Sequence, residues 1–305
     1  MCLIALAWQH HPRYRLALIA NHDEAHPRPT AAAGVDPDDP HVFGGRDLLQ
    51  GGSWLQVSSR GRLAAVTNVR AGLHTETAPR SRGALVREFV RGTMSAADYL
   101  QSLRADAPQF GRFNLLLWDG DALMFGSNHP QFRMHAVTPG VHAMSNGDFD
   151  APWPKSGLAT RALSAWLESP ASQQPSSGQP PHTGEAGLAM LLAAMADTTV
   201  APDEALPDTG VGLELERMLS PPFVLGERYG TRCSSIVLIG QDEIAFVERR
   251  YGPGGAPAGE TAVSLPLRPR IVGSAGCLQG QSRSRSRTPV AVSSSRERSA
   301  ARSPG

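Results

Sequence analysis

The feature that most constrains the fold is a series of short apolar runs that come in pairs, each pair separated by a few turn-forming residues. Apolar runs of this length bounded by Gly, Pro, Asn, Asp or Ser are typical of β-strands joined as hairpins. The sequence therefore predicts a protein rich in antiparallel sheet. The five predicted hairpins span residues 1–21, 54–69, 113–128, 135–146 and 233–250.

Helical periodicity appears between these hairpins. Apolar residues recur at spacings of three and four, which predicts amphipathic helices, and Ser95 is a predicted N-cap. Hairpins mixed with helices favour an α+β layered domain. Many strands are apolar on both faces, so we expect both faces of the sheets to be covered. The five predicted helices span residues 83–92, 95–106, 157–169, 185–197 and 213–219.

Two segments lack the composition of a core. Residues 170–184 are rich in Pro, Ser, Gln and Gly and predict a flexible loop. Residues 268–305 carry eight arginines and one acidic residue and predict a disordered, basic Arg/Ser-rich tail. A non-specific basic tail is favoured over an RNA-associated one, because it holds only three Ser-Arg repeats. The predicted domain is therefore residues 1–267.

Charge and cysteine content narrow the setting. The whole chain has a net charge of +1, so the body before the basic tail is mildly acidic and is not expected to bind nucleic acid. The chain has three cysteines, Cys2, Cys233 and Cys277. Such a small and odd number argues against a disulfide framework. No signal peptide and no run of about 18 apolar residues is evident, so we expect a soluble cytoplasmic protein without a membrane span.

Ten histidines raise the question of a metal site. The pair His10 and His11, and the pair His22 and His26, lack partners at zinc-site spacing. The chain also lacks the Cys-x-x-Cys-His sequence that attaches haem. We therefore predict no metal site and no resident cofactor.

Cys2 stands directly after the initiator methionine, at the head of the first apolar run. A free cysteine at such a place can pack as a small hydrophobic side chain. Removal of Met1 would instead give Cys2 a thiol and a free α-amine on the same carbon. Both interpretations remain open from this stretch alone.

Further polar segments follow strands. Residues 21–30 (NHDEAHPRPT) are predicted to form a turn after the second strand, and residues 44–58 are a Gly-rich approach to a strand. The latter lacks the Gly-Lys-Ser/Thr ending of a phosphate-binding loop. Two strands end in asparagine, at Asn68 and Asn146, and YGTRCS at 229–234 opens another strand.

Taken in order, these segments resemble the NRDE family, which is that of the transport and Golgi organization 2 protein and its bacterial relatives. The resemblance rests on MCLIALAW, LIANHDEAHPRPT, GGRDLLQGGSWLQVS, GRLAAVTNVR, FNLLLWDG, AMSNGDFDAPWPK and YGTRCSSIVLI. It covers residues 1–267. The Asn-Arg-Asp-Glu that names the family reads Asn-His-Asp-Glu here, with His22 in place of the arginine.

The NRDE family in turn resembles the Ntn hydrolases, most closely choloylglycine hydrolase and penicillin V acylase. The resemblance implies a four-layer αββα sandwich of two antiparallel sheets. It also implies that a cysteine exposed by loss of Met1 attacks an amide. An α-amine titrates near 7.7–8.0, so it can be neutral near pH 7 and accept the thiol proton.

The resemblance implies roles for five residues. Cys2 would be the nucleophile, and Asp23 would anchor its amine. Asn68 and Asn146 would donate hydrogen bonds to the developing oxyanion. Arg232 would depress the thiol pKa through its charge.

Three weaker candidates, Asn21, His22 and Glu24, are predicted to contact substrate. His22 is the departure that matters most, because arginine is a permanent bidentate cation whereas histidine is often neutral. Three consequences of this replacement are open. Activity is lower, activity depends on pH, or the family's arginine has only a structural role.

Two functions follow. The first is a cysteine N-terminal-nucleophile hydrolase of a small linear amide or acyl substrate. The alternative is a protein without turnover that handles haem or lipid in the same pocket, with haem as its ligand. The sequence does not distinguish them.

Overall fold

The computed structural model describes residues 2–73, 77–173 and 186–268. Most of the predicted flexible loop and almost all of the predicted basic tail lie outside these residues. The start of the predicted loop is a short helix at Pro170–Gln173.

The described residues form thirteen strands and six α-helices. The strands are β1 Cys2–Trp8, β2 Leu16–Ala25, β3 Thr30–Asp36, β4 Asp39–Asp47, β5 Leu55–Ser58, β6 Arg62–Asn68, β7 Phe113–Trp118, β8 Leu123–Ser127, β9 Arg133–Ala136, β10 Gly140–Met144, β11 Tyr229–Ile239, β12 Glu243–Tyr251 and β13 Pro257–Pro266. The helices are α1 Arg82–Arg91, α2 Ala96–Leu103, α3 Pro154–Glu168, α4 Pro170–Gln173, α5 Ala186–Met195 and α6 Leu213–Met218.

The strands make two antiparallel sheets. The first has the order β10-β1-β2-β11-β12-β13, and the second runs β3-β4-β5-β6-β7-β8-β9. The first sheet is interrupted in sequence, because β10 and β11 join β1 and β2 from far along the chain. This arrangement places β1, with Cys2 at its start, inside the sheet rather than at an edge.

Alternation along β1 shows how the layers pack. Successive strand residues point to opposite faces of a sheet. One set of β1 residues packs on α3 and α5, and the other packs on the second sheet. The helix-facing set is Leu3, Ala5 and Ala7, and the sheet-facing set is Ile4, Leu6 and Trp8.

The second sheet is covered on its outer face by α1 and α2 through a third apolar cluster that includes Leu85, Phe89 and Leu100. The order of layers is therefore helix, sheet, sheet, helix. The predicted αββα sandwich with both sheet faces covered is confirmed.

Most predicted elements are present. The hairpins β1–β2, β5–β6, β7–β8 and β11–β12 form as predicted. Ser95 caps α2, since its hydroxyl accepts a hydrogen bond from the N–H of Asp98 at 3.0 Å. This cap satisfies one of the N–H groups that lack a partner at the start of a helix.

The fourth predicted hairpin, at 135–146, is wrong. Its two halves belong to different sheets, because β9 pairs with β8 while β10 pairs with β1. The turn at Pro139–Gly140 therefore carries the chain from the second sheet to the first. Alternation predicts that a run is a strand, but it does not identify the strand's partner.

Three strands were missed. β2 continues through Ala25, so the segment 21–24 lies on a strand and not in a turn. The three strands without a prediction are β3, β4 and β13: β3 and β4 lie mostly between the predicted turn at 21–30 and the Gly-rich segment at 44–58, and every residue of β13 is exposed or half-buried. Edge strands that face water carry polar residues, which weakens their signal.

Among the helices of the described ranges, none has both the length and the apolar character needed to cross a membrane.

Candidate active site at the start of the first strand

A cleft of about 180 Å³ opens at the start of β1. Its walls include residues of β1 and β2, the two residues before β5, the end of β6, and the residues that begin α1. The lining side chains used below are Cys2, His22, Glu24, Trp54 and Asn68.

Cys2 and His22 are direct partners across β1 and β2. Side chains opposite each other on antiparallel strands share one face of the sheet. The Cys2 Sγ lies 3.3 Å from the His22 Nδ1. The imidazole is held from the other side by Trp54, whose ring stacks on it at 4.1 Å between centroids and 2° between planes. The predicted substrate residue His22 is therefore a contact of the thiol itself.

Burial sets the ionisation of this pair. It raises the pKa of the Cys2 thiol to about 11, and it lowers the pKa of His22 well below its ordinary value. A low-dielectric site disfavours the charged form of each group. The resting pair is thus a neutral thiol beside a neutral imidazole, and attack by Cys2 requires a base to take its proton.

Asp23 follows His22 on β2 and lies on the opposite face of the strand. It is 1% exposed, and its Oδ1 accepts a hydrogen bond from the Thr231 hydroxyl at 2.7 Å. Burial raises the pKa of this carboxyl, and the positive charge of Lys155 opposes that rise. A buried carboxyl next to the strand partner of Cys2 is placed to receive an amine at the start of β1.

Asn68 and Asn146 are brought together, although 78 residues separate them. The Asn146 Nδ2 donates to the backbone oxygen of Asn68 at 3.0 Å and to its Oδ1 at 3.1 Å. The neighbouring Ser145 hydroxyl donates to the Cys2 backbone oxygen at 3.0 Å. Both asparagines therefore lie beside the cysteine, with Asn68 in the cleft wall and Asn146 fully buried behind it.

Arg232 differs from its predicted role. Its guanidinium donates to the backbone oxygens of Ala25 and Arg28 and to the Thr30 hydroxyl, at 3.0–3.2 Å. These bonds brace the corner between β2 and β3. The predicted depression of the thiol pKa is not found, because burial dominates and raises the Cys2 value.

Asn21 also has a structural role. Its Nδ2 donates to the backbone oxygens of Met195 and Pro222, at 2.7 and 2.8 Å, and its Oδ1 accepts from the Ser234 hydroxyl at 2.6 Å. It is 1% exposed, so its amide is committed to protein partners. The predicted contact with substrate is therefore not supported for Asn21.

Glu24 lies in the cleft wall, as its predicted role requires. Its Oε1 accepts from the Ala25 N–H at 2.8 Å. The other carboxylate oxygen lies 4.0 Å from the Arg28 Nε.

Cys233 is free and buried, as expected of a core residue.

Sequence reasoning missed Lys155 as a site residue. It is 2% exposed in the first turn of α3, and its Nζ lies 3.4 Å from the Asn146 Oδ1 and 3.2 Å from the Leu219 oxygen. One signal was available, because this is the single lysine among 29 Lys and Arg residues.

Within the ranges that the structure describes, no group of three or more His, Cys, Asp and Glu side chains is placed to hold a metal ion.

We expect His22→Arg to lower the pKa of the Cys2 thiol. A permanent cation beside a thiolate stabilises the charged form, typically by about one pKa unit or more. The measurement is the pH midpoint of Cys2 alkylation by iodoacetamide, read by mass spectrometry. His22→Phe is the control, since it keeps a ring against Trp54 without a nitrogen. An unchanged or higher midpoint in His22→Arg would contradict this expectation.

Residues 1–253 match the family model described as Transport and Golgi organisation 2. The Transport and Golgi organization protein 2 homolog of Bos taurus is 31% identical over 274 residues, and that of Homo sapiens is 29% identical over 265 residues. Each match covers 82% of this chain and 92% of the relative.

Two solved structures are also similar. One is the Caenorhabditis elegans N-acylethanolamine-hydrolyzing acid amidase ortholog, with a TM-score of 0.42, 9% identity, and 77% and 92% of the two chains covered. The other is the C2A mutant of conjugated bile acid hydrolase from Clostridium perfringens, with a TM-score of 0.40, 10% identity, and 86% and 92% covered.

Proposed function

This chain belongs to the Transport and Golgi organisation 2 family, and we propose that it is a cysteine hydrolase of small linear amides or related acyl compounds. Cys2 would act as an N-terminal nucleophile after loss of Met1. The observation that carries the proposal is the position of the Cys2 thiol in a cleft wall beside Asn68, with the Asp23 carboxyl buried next to its strand partner.

The first step is attack on the acyl carbon. The neutral form of the Cys2 amine, which is the minor form near pH 7 because an α-amine titrates at ~7.7–8.0, takes the thiol proton as the sulfur bonds to the carbonyl carbon. The carbonyl oxygen becomes an oxyanion. The Asp23 carboxylate holds the resulting ammonium in place. His22 is a second base within reach of the thiol, at 3.3 Å.

The second step is collapse of the intermediate. The carbon–nitrogen bond breaks, the ammonium returns its proton to the leaving amine, and an acyl thioester remains on Cys2. Water then attacks this thioester with the Cys2 amine as base, which releases the carboxylic acid and restores the thiol. The two half-reactions together consume one water for each amide bond.

The two asparagines have different parts in this chemistry. The NH2 of Asn146 already donates to two oxygens of Asn68, so it is not the donor to the oxyanion. The Oδ1 of Asn68 accepts from Asn146, which leaves the NH2 of Asn68 as the end available to the cleft. Asn68 is therefore the proposed oxyanion donor, and donors of this kind strengthen as charge develops on the oxygen.

The size of the cleft supports a small substrate. Its volume of about 180 Å³ is below the ~300–1,000 Å³ of sites for drug-sized ligands. Short acyl amides fit such a volume.

The test combines intact mass with a substrate screen. Mass spectrometry of the purified chain is expected to show that Met1 is absent. That protein is then screened against short acyl amides, esters and thioesters, with release of the carboxylic acid as the readout. Hydrolysis of one class is the expected result. Retention of Met1 in the mature protein, or no hydrolysis by a chain that begins at Cys2, would overturn the proposal.

A haem-handling role is the second candidate. The observation in its favour is the pairing of a thiol and an imidazole in one cleft, because both are haem-iron ligands. The cleft volume of about 180 Å³ is small for a porphyrin, so this function ranks second. Titration with haem decides it: a saturable spectral change that is lost in His22→Ala favours the role, and the absence of such a change excludes it.

A further inference from the structure

Lys155 is a buried lysine, and burial of its ammonium costs free energy. A buried ammonium loses its hydration, and only strong partners offset that cost. Of the 29 Lys and Arg residues all but one are arginine. The single lysine is 2% exposed and lies at the back of the Cys2 cleft. Its surroundings contain charges of both signs, from Asp23, Arg70 and Glu216.

Lys155 begins a directional chain of hydrogen bonds. An ammonium has three donors and no acceptor, so the atom of Asn146 that faces it must be the oxygen. The NH2 of Asn146 then lies at the other end of the amide, where it donates to Asn68. Because Asn68 receives that bond on Oδ1, its own NH2 is turned away from Asn146.

We propose that Lys155 is a positioning residue, which fixes the direction of the Asn146 and Asn68 amides so that the Asn68 NH2 is presented to the cleft. The inference rests on the proposed function, since it assigns Asn68 as the oxyanion donor. The backbone oxygen of Asn68 also accepts from the Asn146 NH2, so it supports the same direction of that amide. Without a donor-only group at position 155 this bond alone opposes a turn of the amides, and a turned Asn68 would place its carbonyl oxygen against the developing negative charge.

The charge state of Lys155 agrees with this role. Burial lowers the pKa of Lys155 to about 8, and the Asp23 carboxylate acts in the opposite direction. The amine is therefore mainly protonated near pH 7, as a donor-only group must be. Arg70 is itself paired to Glu216 at 2.6 Å, which leaves the Lys155 ammonium to Asn146 and the Leu219 oxygen.

The test separates acyl transfer from thiol reactivity. Alkylation of Cys2 by iodoacetamide develops no oxyanion, whereas amide hydrolysis does. Lys155→Met is expected to lower kcat by about 100-fold or more, which is typical for loss of an oxyanion donor, with KM and the alkylation rate unchanged. Lys155→Arg restores a donor-only cation and is expected to recover part of kcat.

Controls keep the outcomes distinct. Arg161→Met removes a cation from an exposed position of the same helix and is expected to leave kcat unchanged. Should Lys155→Met not fold, Lys155→Gln carries the same test, because its amide can present either end to Asn146. An unchanged kcat, or an equal loss of kcat and alkylation rate, would overturn the role of Lys155. Turnover that survives Cys2→Ala would instead overturn the proposed function.

Discussion

Cys2→Ala is expected to lower the turnover of an amide or acyl substrate by about 10⁴-fold or more, because loss of a covalent nucleophile leaves only binding and oxyanion contributions. Cys2 is 7% exposed and lies in the cleft wall, so alanine removes one sulfur without disturbing a larger contact. The measurement is the initial rate of carboxylic acid release at saturating substrate.

Cys233→Ala is the matched control for that result. Cys233 is also a free, buried cysteine, and it sits opposite His22 on β11. The same substitution there also removes a buried sulfur, but it is expected to leave turnover unchanged. Equal turnover in the two variants, or a large loss in Cys233→Ala alone, would contradict the assignment of Cys2 as nucleophile.

Glu216→Gln is expected to destabilise the fold by about 3–5 kcal/mol, since it leaves a buried guanidinium without its carboxylate. The Arg70 Nη2 lies 2.6 Å from the Glu216 Oε2, and their side chains are only 6% and 3% exposed. The backbone N–H of Arg70 donates to the backbone oxygen of Asn146 at 2.8 Å, so the ion pair lies next to the back of the site.

Urea unfolding measures this loss, with Glu214→Gln as the control. Glu214 pairs with Arg217 on the same helix, but its side chain is 88% exposed. Exposed pairs contribute about 0–1 kcal/mol, so the control is expected to unfold close to wild type. Similar urea midpoints for both variants would contradict the expectation that the buried Arg70–Glu216 pair contributes more to the free energy of unfolding than the exposed pair does.

The fold was predictable where neighbouring residues define the element. The runs 1–8 and 14–21, or 113–119 and 122–128, alternate or stay apolar over the length of a strand and meet at a short turn. The pairing of β10 with β1 was not predictable, because the same alternation allows either sheet. The small residues of β3, which is an edge strand of the second sheet, and the Pro, Gly and Asp residues of β4 concealed these two strands.

The site was predictable in part. Cys2, Asp23, Asn68 and Asn146 were implied by the family resemblance, and the structure brings them to one place. Two features depend on three-dimensional contacts that no local pattern encodes. The approach of His22 to the thiol requires the register of β1 with β2, and that of Lys155 to Asn146 requires α3 to pack behind β10.

Arg232 shows the converse limit. The family resemblance implied that the charge of Arg232 would act on the Cys2 thiol. Alternation turns its side chain toward the β2–β3 corner, where three oxygens accept its hydrogen bonds. A residue's charge is read easily from sequence, whereas the direction of its side chain depends on strand register.

The central claim is that Cys2 works as an N-terminal residue, and the pH dependence of its alkylation tests this most directly. The chain is prepared with a removable peptide before Cys2, and iodoacetamide labelling of Cys2 is measured before and after that peptide is cleaved. With the peptide in place the midpoint is expected near the buried-thiol pKa of about 11. After cleavage the adjacent amine is expected to move it below the ~8.5 of a free cysteine. The same midpoint in both forms would contradict the account.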